Sequence, residues 1–165
     1  RNAASGVLSD VWASDDGSTW TLLTNQPGWP ARDRHVGVAL ASGTLLVLTG
    51  AGDDVHSARF GDVWRSVDGG FNWTQVTDQP AWLLGASGRE SASAVVLPSD
   101  QVLLVGGTLN SVVFATEALA DSWISADEGD SWTETRQRAQ FSPRSGHACM
   151  STSLGDVLVL GGNYA

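Results

Sequence analysis

The carboxylates best placed to do chemistry are those of Asp68 and Asp127, each within a Ser-x-Asp-x-Gly segment. An acid–base role would require such a carboxylate to reach a bound substrate. An Asp between Ser and Gly at a turn more commonly accepts hydrogen bonds from its own turn amides. Because this segment recurs along the chain, we expect both aspartates to be structural, and we predict no catalytic residue and no enzymatic activity.

A second candidate is the pattern Arg-x-x-His, which occurs twice. Two histidines on different repeats could lie near a central channel and there move protons near neutral pH or bind a metal. No third ligand stands at a defined spacing, so we predict neither a metal site nor a cofactor. We expect these residues to hydrogen-bond the loops between repeats, with the arginines bridging backbone carbonyls of the neighbouring repeat. The four residues are Arg32, His35, Arg144 and His147, and the intervening copy has Arg89 and Ala92.

The eight tryptophans are the strongest argument for a sugar ligand, because an aromatic face stacks well on an apolar surface. Six of them occupy equivalent repeat positions, and we therefore expect them to pack in the core. The other two, Trp29 and Trp82, lie in Pro-Gly-Trp and Pro-Ala-Trp loops and are the candidates for an exposed ligand contact. The six core tryptophans are predicted to be Trp12, Trp20, Trp64, Trp73, Trp123 and Trp132.

The sequence Asn72-Trp73-Thr74 matches the acceptor pattern for N-glycosylation. It stands at a hairpin turn that should face water. We therefore predict Asn72 as a candidate glycosylation site, with a secreted or cell-surface location.

A recurring unit must position all these residues. Each copy contains an Asp-x-Trp hairpin, a loop with a second aromatic residue, an arginine, and two further strands ending in small residues. Continuous Val and Leu runs are typical of strands buried on both faces. We divide the repeats at approximately 10–61, 62–120 and 121–165. The predicted inner strands are Val36 to Leu40, Leu45 to Leu48, Ala92 to Leu97, Val102 to Val105, Ala148 to Thr152 and Val157 to Leu160.

Four short strands per unit are the pattern of a propeller blade. The succession Gly-Gly, Asp-Val-Trp, Trp and Pro-x-x-Arg-x-x-His resembles the kelch repeat of β-propellers. The segments Ser66 to Trp73 and Ser125 to Trp132 are similar to the Asp-box hairpins of sialidase-type propellers. The resemblance implies an all-β fold, a single β-propeller segment of four-stranded blades.

Relatives with this fold include sialidases and galactose oxidase. A sialidase would need an arginine cluster and a Tyr nucleophile, whereas Tyr164 is the only Tyr and the arginines follow the repeat. A copper centre of the galactose-oxidase kind is disfavoured because Cys149 and Tyr164 lack a surrounding ligand set. Neither activity is expected of this chain alone.

Composition excludes several other classes. The net charge of −9 argues against nucleic acid as a partner. The single cysteine excludes an intrachain disulfide, and we expect no membrane insertion because no apolar run reaches spanning length. The loop with Asp53, Asp54 and His56 is expected to be solvated rather than to bind Ca²⁺.

The phase of the repeat suggests a function. The chain starts within an outer hairpin and ends after an inner one, which gives two full blades and two half-blades, about three in total. Since it begins with Arg1, we expect a processed product or a piece of a longer polypeptide. We expect a non-enzymatic extracellular scaffold that self-associates by completing blades, as a ring or a filament. The expected partners are other copies or adjoining blades of a longer chain, with glycans as a further candidate. The alternatives are a carbohydrate-binding propeller and a fragment of a larger sialidase- or galactose-oxidase-like enzyme.

Overall fold

The computed structural model describes residues 6–53, 59–109, 117–136 and 139–164. Over these ranges the chain is all-β, with one 3-10 turn at Ala81–Leu83 and no α-helix. None of the described residues form a helix that could cross a membrane. The strands are β1 Val11–Ala13, β2 Thr21–Thr24, β3 Val36–Ala39, β4 Leu45–Leu48, β5 Val63–Ser66, β6 Thr74–Thr77, β7 Arg89–Glu90, β8 Ser93–Val96, β9 Val102–Val105, β10 Thr108–Leu109, β11 Glu117–Ala118, β12 Ser122–Ser125, β13 Thr133–Arg136, β14 Ala148–Ser151 and β15 Val157–Leu160.

The described strands form two four-stranded antiparallel sheets, in the orders β3-β4-β5-β6 and β8-β9-β12-β13. We call these the first and second complete sheets. Two isolated hairpins remain, the first hairpin of β1 and β2 and the last hairpin of β14 and β15. A small sheet of β7, β10 and β11 joins the ends of the loops. In each complete sheet the first two strands form one hairpin, which we call the inner hairpin, and the last two strands form the outer hairpin. The inner hairpins are β3-β4 and β8-β9, and the outer hairpins are β5-β6 and β12-β13.

The strand predictions are confirmed closely at the apolar runs. The second strand of each inner hairpin has the predicted bounds, and the first strand is one or two residues shorter than predicted. Trp73 directly precedes β6.

The two complete sheets repeat the same register. Val47 pairs with Trp64 in the first and Leu104 with Trp123 in the second. In both outer hairpins, and in the first hairpin, the register shifts just before the tryptophan. Such a local bulge changes the direction of the following side chain, so the tryptophans occupy equivalent positions in the three hairpins.

The apolar core lies between the two complete sheets. Side chains from the inner strands of both meet tryptophans from the second outer hairpin. β4 and β9 are largely buried, as their Val and Leu content predicts. The prediction is wrong for β15, whose residues alternate between half-buried and exposed. Among the described residues β15 pairs only with β14, so nothing covers its outer edge.

The inner hairpins are neighbours in space. β8 contacts both β3 and β14, so the first strands of the three inner hairpins lie side by side. The sheets therefore succeed one another in sequence order, and each has a preceding and a following side.

A matched pair of leucines tests this assignment of buried and open positions. Leu48 and Leu160 end β4 and β15 at the same repeat position, but Leu48 is fully buried and Leu160 is 46% exposed. We expect Leu48→Ala to lower the free energy of unfolding by about 2–5 kcal/mol through lost burial and cavity formation. Urea unfolding of the dilute chain measures this.

Leu160→Ala is the control and should cost well under about 1 kcal/mol in the dilute chain. Equal losses in the two variants would contradict the exposure of β15.

Candidate functional site

The two aspartates of the Asp-box-like turns hold their own turns. Asp68 Oδ1 accepts hydrogen bonds from Ser66 Oγ and the Asn72 N–H, both at 2.9 Å. These bonds, led by the Asn72 N–H, lower the pKa of Asp68 to about 2. Asp127 makes the same contacts with Ser125 and Ser131, and its pKa is also lowered. An ionised carboxylate engaged by its own turn has no proton to donate at neutral pH.

The predicted glycosylation residue belongs to the same turn. Asn72 is exposed, as its position at a hairpin turn predicts. Its Nδ2 donates a hydrogen bond to Asp68 Oδ2 at 2.6 Å. The side-chain amide therefore also closes the turn.

Each complete sheet contains a buried arginine that links its two hairpins. Arg32 donates to both carboxylate oxygens of Asp62, at 2.6 and 2.9 Å, and to the Thr49 carbonyl at 2.9 Å. Asp62 Oδ2 also accepts the indole N–H of Trp64 at 2.6 Å. The predicted carbonyl contact was with the neighbouring repeat, whereas Arg32 binds a carbonyl of its own repeat, and the bidentate carboxylate contact was not predicted.

The second complete sheet repeats this arrangement. Arg89 donates to both oxygens of Asp121, at 3.0 and 2.7 Å, and to the Gly106 carbonyl at 3.1 Å. Asp121 Oδ2 accepts from Trp123 Nε1 at 2.8 Å. The signal that could have identified these aspartates is the Asp two residues before Trp in all three copies.

Trp29 and Trp82, predicted as exposed ligand contacts, are buried, at 7% and 0% exposure. The guanidinium of Arg32 lies 5.7 Å from the Trp29 ring, and that of Arg89 lies 5.4 Å from the Trp82 ring. A second tryptophan meets each ring edge-on, Trp73 at 6.1 Å and Trp132 at 6.2 Å. Neither of these two indole rings leaves a face free for a sugar, so the prediction that Trp29 and Trp82 are exposed is wrong.

The tryptophans of the first hairpin are instead the exposed ones. Trp12 is 49% and Trp20 is 57% exposed, whereas their counterparts Trp123 and Trp132 are buried. The core prediction is therefore wrong for this pair. The reason is tertiary, because the first hairpin is not joined to an inner hairpin in the described structure.

The two histidines of the Arg-x-x-His pattern have different surroundings. His147 is buried, and among the described residues neither ring nitrogen has a hydrogen-bond partner of acceptable geometry, so the predicted loop contact is not observed there. Burial first, and then the charge of Arg144, lower the pKa of His147. His35 is exposed and lies 6.5 Å from the Trp29 ring; desolvation and Arg32 also lower its pKa.

The described residues contain no group of three or more His, Cys, Asp or Glu side chains that could hold a metal. Asp54 and His56 of the loop considered for Ca²⁺ lie outside the described residues.

A further charged group was not anticipated from sequence. Glu90 is buried and pairs with Arg34 at 3.0 Å and Arg59 at 2.7 Å. It ties the loops of the first and second repeats together.

The main unsatisfied surface lies on the two isolated hairpins. The inner edge of β1 and the outer edge of β15 pair with no other described strand. Exposed edges of this kind are templates for pairing with another strand. The large apolar side chains exposed on these hairpins are Trp12, Trp20, Leu22, Met150, Leu154, Leu158 and Leu160. These two hairpins are the candidate site.

Comparison with known proteins adds information on the fold alone. No protein-family model matches the chain, and no curated protein matches it. A crystal structure of a protein of unknown function from Dyadobacter fermentans is similar, with a TM-score of 0.64 and 18% identity over 91% of this chain. The structure of YjhT is also similar, with a TM-score of 0.61 and 15% identity over 79% of this chain. The matched part is 50% and 44% of those chains, so this chain spans about half their length.

The buried ion pair can be tested by removing one partner. Asp121→Ala leaves the fully buried guanidinium of Arg89 without its counter-charge, and we expect a loss of about 3–5 kcal/mol in the free energy of unfolding. Urea unfolding measures the loss. The control is Asp130→Ala, which removes an exposed partner of Arg65 and should cost at most about 1 kcal/mol. Similar losses would contradict a structural role for the Arg89–Asp121 pair.

The buried histidine predicts a dependence of stability on pH. Since the pKa of His147 is below its ordinary 6.5 in the folded chain, the unfolded chain binds that proton more readily. The free energy of unfolding should therefore fall as the pH drops below about 6.5 and be constant just above it. His147→Gln should reduce this slope, because it removes the buried imidazole whose pKa is lowered. A slope that is unchanged in His147→Gln would contradict the assignment.

Proposed function

We propose that this chain is a non-enzymatic segment of a kelch-like β-propeller that functions as an extracellular scaffold or interaction module. It associates with a second copy of itself, the first hairpin of one copy completing the sheet begun by the last hairpin of the other. The observation that carries this proposal is that, among the described residues, β1 and β15 each lack the neighbouring strand that β5 and β4 have in the first complete sheet. Adjoining repeats of a longer polypeptide would satisfy the same hairpins within one chain.

The complete sheets supply the template for the joint. In both, the last strand of the inner hairpin pairs antiparallel with the first strand of the outer hairpin. Leu48 pairs with Val63, and Val47 with Trp64. Transferred to the two hairpins, this register pairs Leu160 with Val11 of the second copy. Val159 then faces Trp12 of the second copy.

Burial of apolar surface favours the joint. Side chains that are exposed on the last hairpin have buried counterparts at the same positions of the first complete sheet: Leu158 corresponds to Leu46, and Leu160 to Leu48. Trp12 and Trp20 likewise correspond to buried tryptophans of the second complete sheet. Full burial of a large apolar side chain contributes about 1.5–3 kcal/mol, and each of these is already about half buried, so each adds roughly half of that amount. Several such side chains at one joint offset the lower part of the association cost of about 4–15 kcal/mol.

Geometry allows two products. The joint is heterologous, because it uses a different surface on each copy, so it closes into a ring or continues as a filament according to the rotation per step. Two copies would contribute six sheets, within the roughly four to eight of known propellers. The similar structures are about twice as long as this chain, a length that either two copies or one polypeptide with further repeats would supply.

The charged side chains support a non-enzymatic role. Asp68 and Asp127 are engaged by their own turns, and Arg32 and Arg89 are engaged by buried carboxylates. The carbohydrate-binding alternative has less support, since the stacking faces of Trp29 and Trp82 are covered.

Sedimentation equilibrium tests the proposal. We expect a species of twice 17.3 kDa for the ring, or a continuous series of larger species for the filament. Leu160→Ala, which leaves the folded chain almost unchanged, should weaken association at least about tenfold, because it removes apolar surface from the joint. A 17.3 kDa monomer at every concentration up to about 1 mM would contradict self-association.

Cross-linking tests the register. The template pairs Leu158 with Ala13 of the second copy, at a Cα separation of about 4.5–5.5 Å that a disulfide can span. In a Cys149→Ser background, Leu158→Cys mixed with Ala13→Cys should form a disulfide between chains under mild oxidation. Met150→Cys, on the other strand of the last hairpin, is the control and should not cross-link to Ala13→Cys. Equal cross-linking by both would contradict the register.

A further inference from the structure

The repeat segments that contain the last and the first hairpin each carry one residue at a position that forms the buried ion pair in the complete sheets. Arg144 occupies the repeat position of Arg32 and Arg89 and stacks in the same way, 5.3 Å from the ring of Phe141. It donates to the Gly161 carbonyl at 2.7 Å, which corresponds to the contact of Arg32 with Thr49. Within the part of the chain that the structure describes, it has no carboxylate partner.

Asp10 is the matching half. It precedes Trp12 by two residues, as Asp62 precedes Trp64, and its Oδ2 accepts the indole N–H of Trp12 at 2.7 Å. The described residues include no arginine paired with it. Its carboxylate is therefore already oriented by the same tryptophan contact as in the complete sheets.

Backbone contacts between successive repeats point to the same neighbour. The Gly50 N–H donates to the Arg89 carbonyl, and the Gly107 N–H to the Arg144 carbonyl, both at 2.9 Å. Continuing this series, the Gly162 N–H would donate to the Arg32 carbonyl of a second copy. The side-chain pair and the backbone bond therefore both place the first hairpin of a second copy, and the sheet that follows it, against the last hairpin of the first copy.

We propose that Asp10 of one copy pairs with Arg144 of the next, and that this ion pair determines which sheet edge the first hairpin joins. The inference rests on the proposed self-association and identifies the residues that make it specific. When the joint forms in register, both oxygens of Asp10 meet the planar guanidinium of Arg144, the geometry that arginine favours. Any other pairing buries one of these charges without its partner, which is strongly unfavourable.

Charge reversal tests the pair, because a mixture of the two reversed variants would not recover association if either residue had only a structural role. Arg144→Asp and Asp10→Arg should each weaken self-association at least about tenfold, because each places like charges at every joint. An equimolar mixture of the two variants should associate at least about tenfold more strongly than either alone. In a two-chain ring of one copy of each, one joint brings the two substituted positions together with their charges exchanged, and the other has the native pair. Sedimentation velocity of the separate and mixed proteins measures this.

Two further variants keep the test decisive. Asp10→Asn removes the charge with little change in shape and should also weaken association, while its urea unfolding as a dilute monomer should match the wild type. Asp15→Arg makes the same charge change in the exposed turn of the same hairpin and should leave association unchanged.

The outcomes separate the two proposals. If the wild type associates but the reversals have no effect, or the mixture associates no better than its components, the ion pair is overturned and self-association stands. If Asp15→Arg weakens association as much as Asp10→Arg, the specific pair is also overturned, because net charge alone would explain the loss. If the wild type remains a monomer throughout, both proposals fail.

Discussion

A buried arginine–aspartate contact is the interaction on which each complete sheet depends. Arg32 and Arg89 stand at the start of an inner hairpin, and Asp62 and Asp121 at the start of the outer hairpin joined to it. Strands of four residues provide little independent stability. Because a buried guanidinium requires its counter-charge, the pair admits only the register that brings the two hairpins together. The same carboxylate then holds the tryptophan that follows it.

Local and non-local interactions separate clearly in this molecule. The Ser–Asp turns are complete in the first hairpin as well as in the complete sheets, since Asp16 accepts the N–H groups of Ser18 and Thr19 at 2.8 and 2.7 Å. These bonds span a few residues and need no neighbour. Tryptophan burial does need one, which is why Trp12 and Trp123 share a repeat position but differ in exposure, at 49% and 5%.

Each of two backbone contacts between repeats keeps its own direction along the chain from one pair of repeats to the next. The backbone N–H groups of Gly50 and Gly107 donate to the carbonyl of the arginine in the following repeat. The N–H groups of Ser91 and Gly146 donate to the carbonyl at the same position in the preceding repeat, which is Arg34 for Ser91 and Ser91 for Gly146. A stack with such polarity has two different and complementary faces rather than one face that fits itself. It therefore favours head-to-tail continuation over a two-fold dimer. This polarity is the physical basis for proposing a ring or a filament.

The sequence by itself determined what depends on near neighbours: the strand runs Leu45–Leu48, Val102–Val105 and Val157–Leu160, and the turns held by Asp68 and Asp127. Apolar runs and turn residues act over a few positions, so their pattern is sufficient. Only the tertiary structure decided that Trp29 and Trp82 are buried, that β15 is open, and that the ring of His147 is buried without a hydrogen-bond partner of acceptable geometry among the described residues. It also showed the carboxylates that Arg32 and Arg89 bind, some thirty residues further along the chain. Exposure and ion pairing depend on which distant segment lies against a residue, and residues in identical repeat positions differ when one of them has no neighbouring sheet.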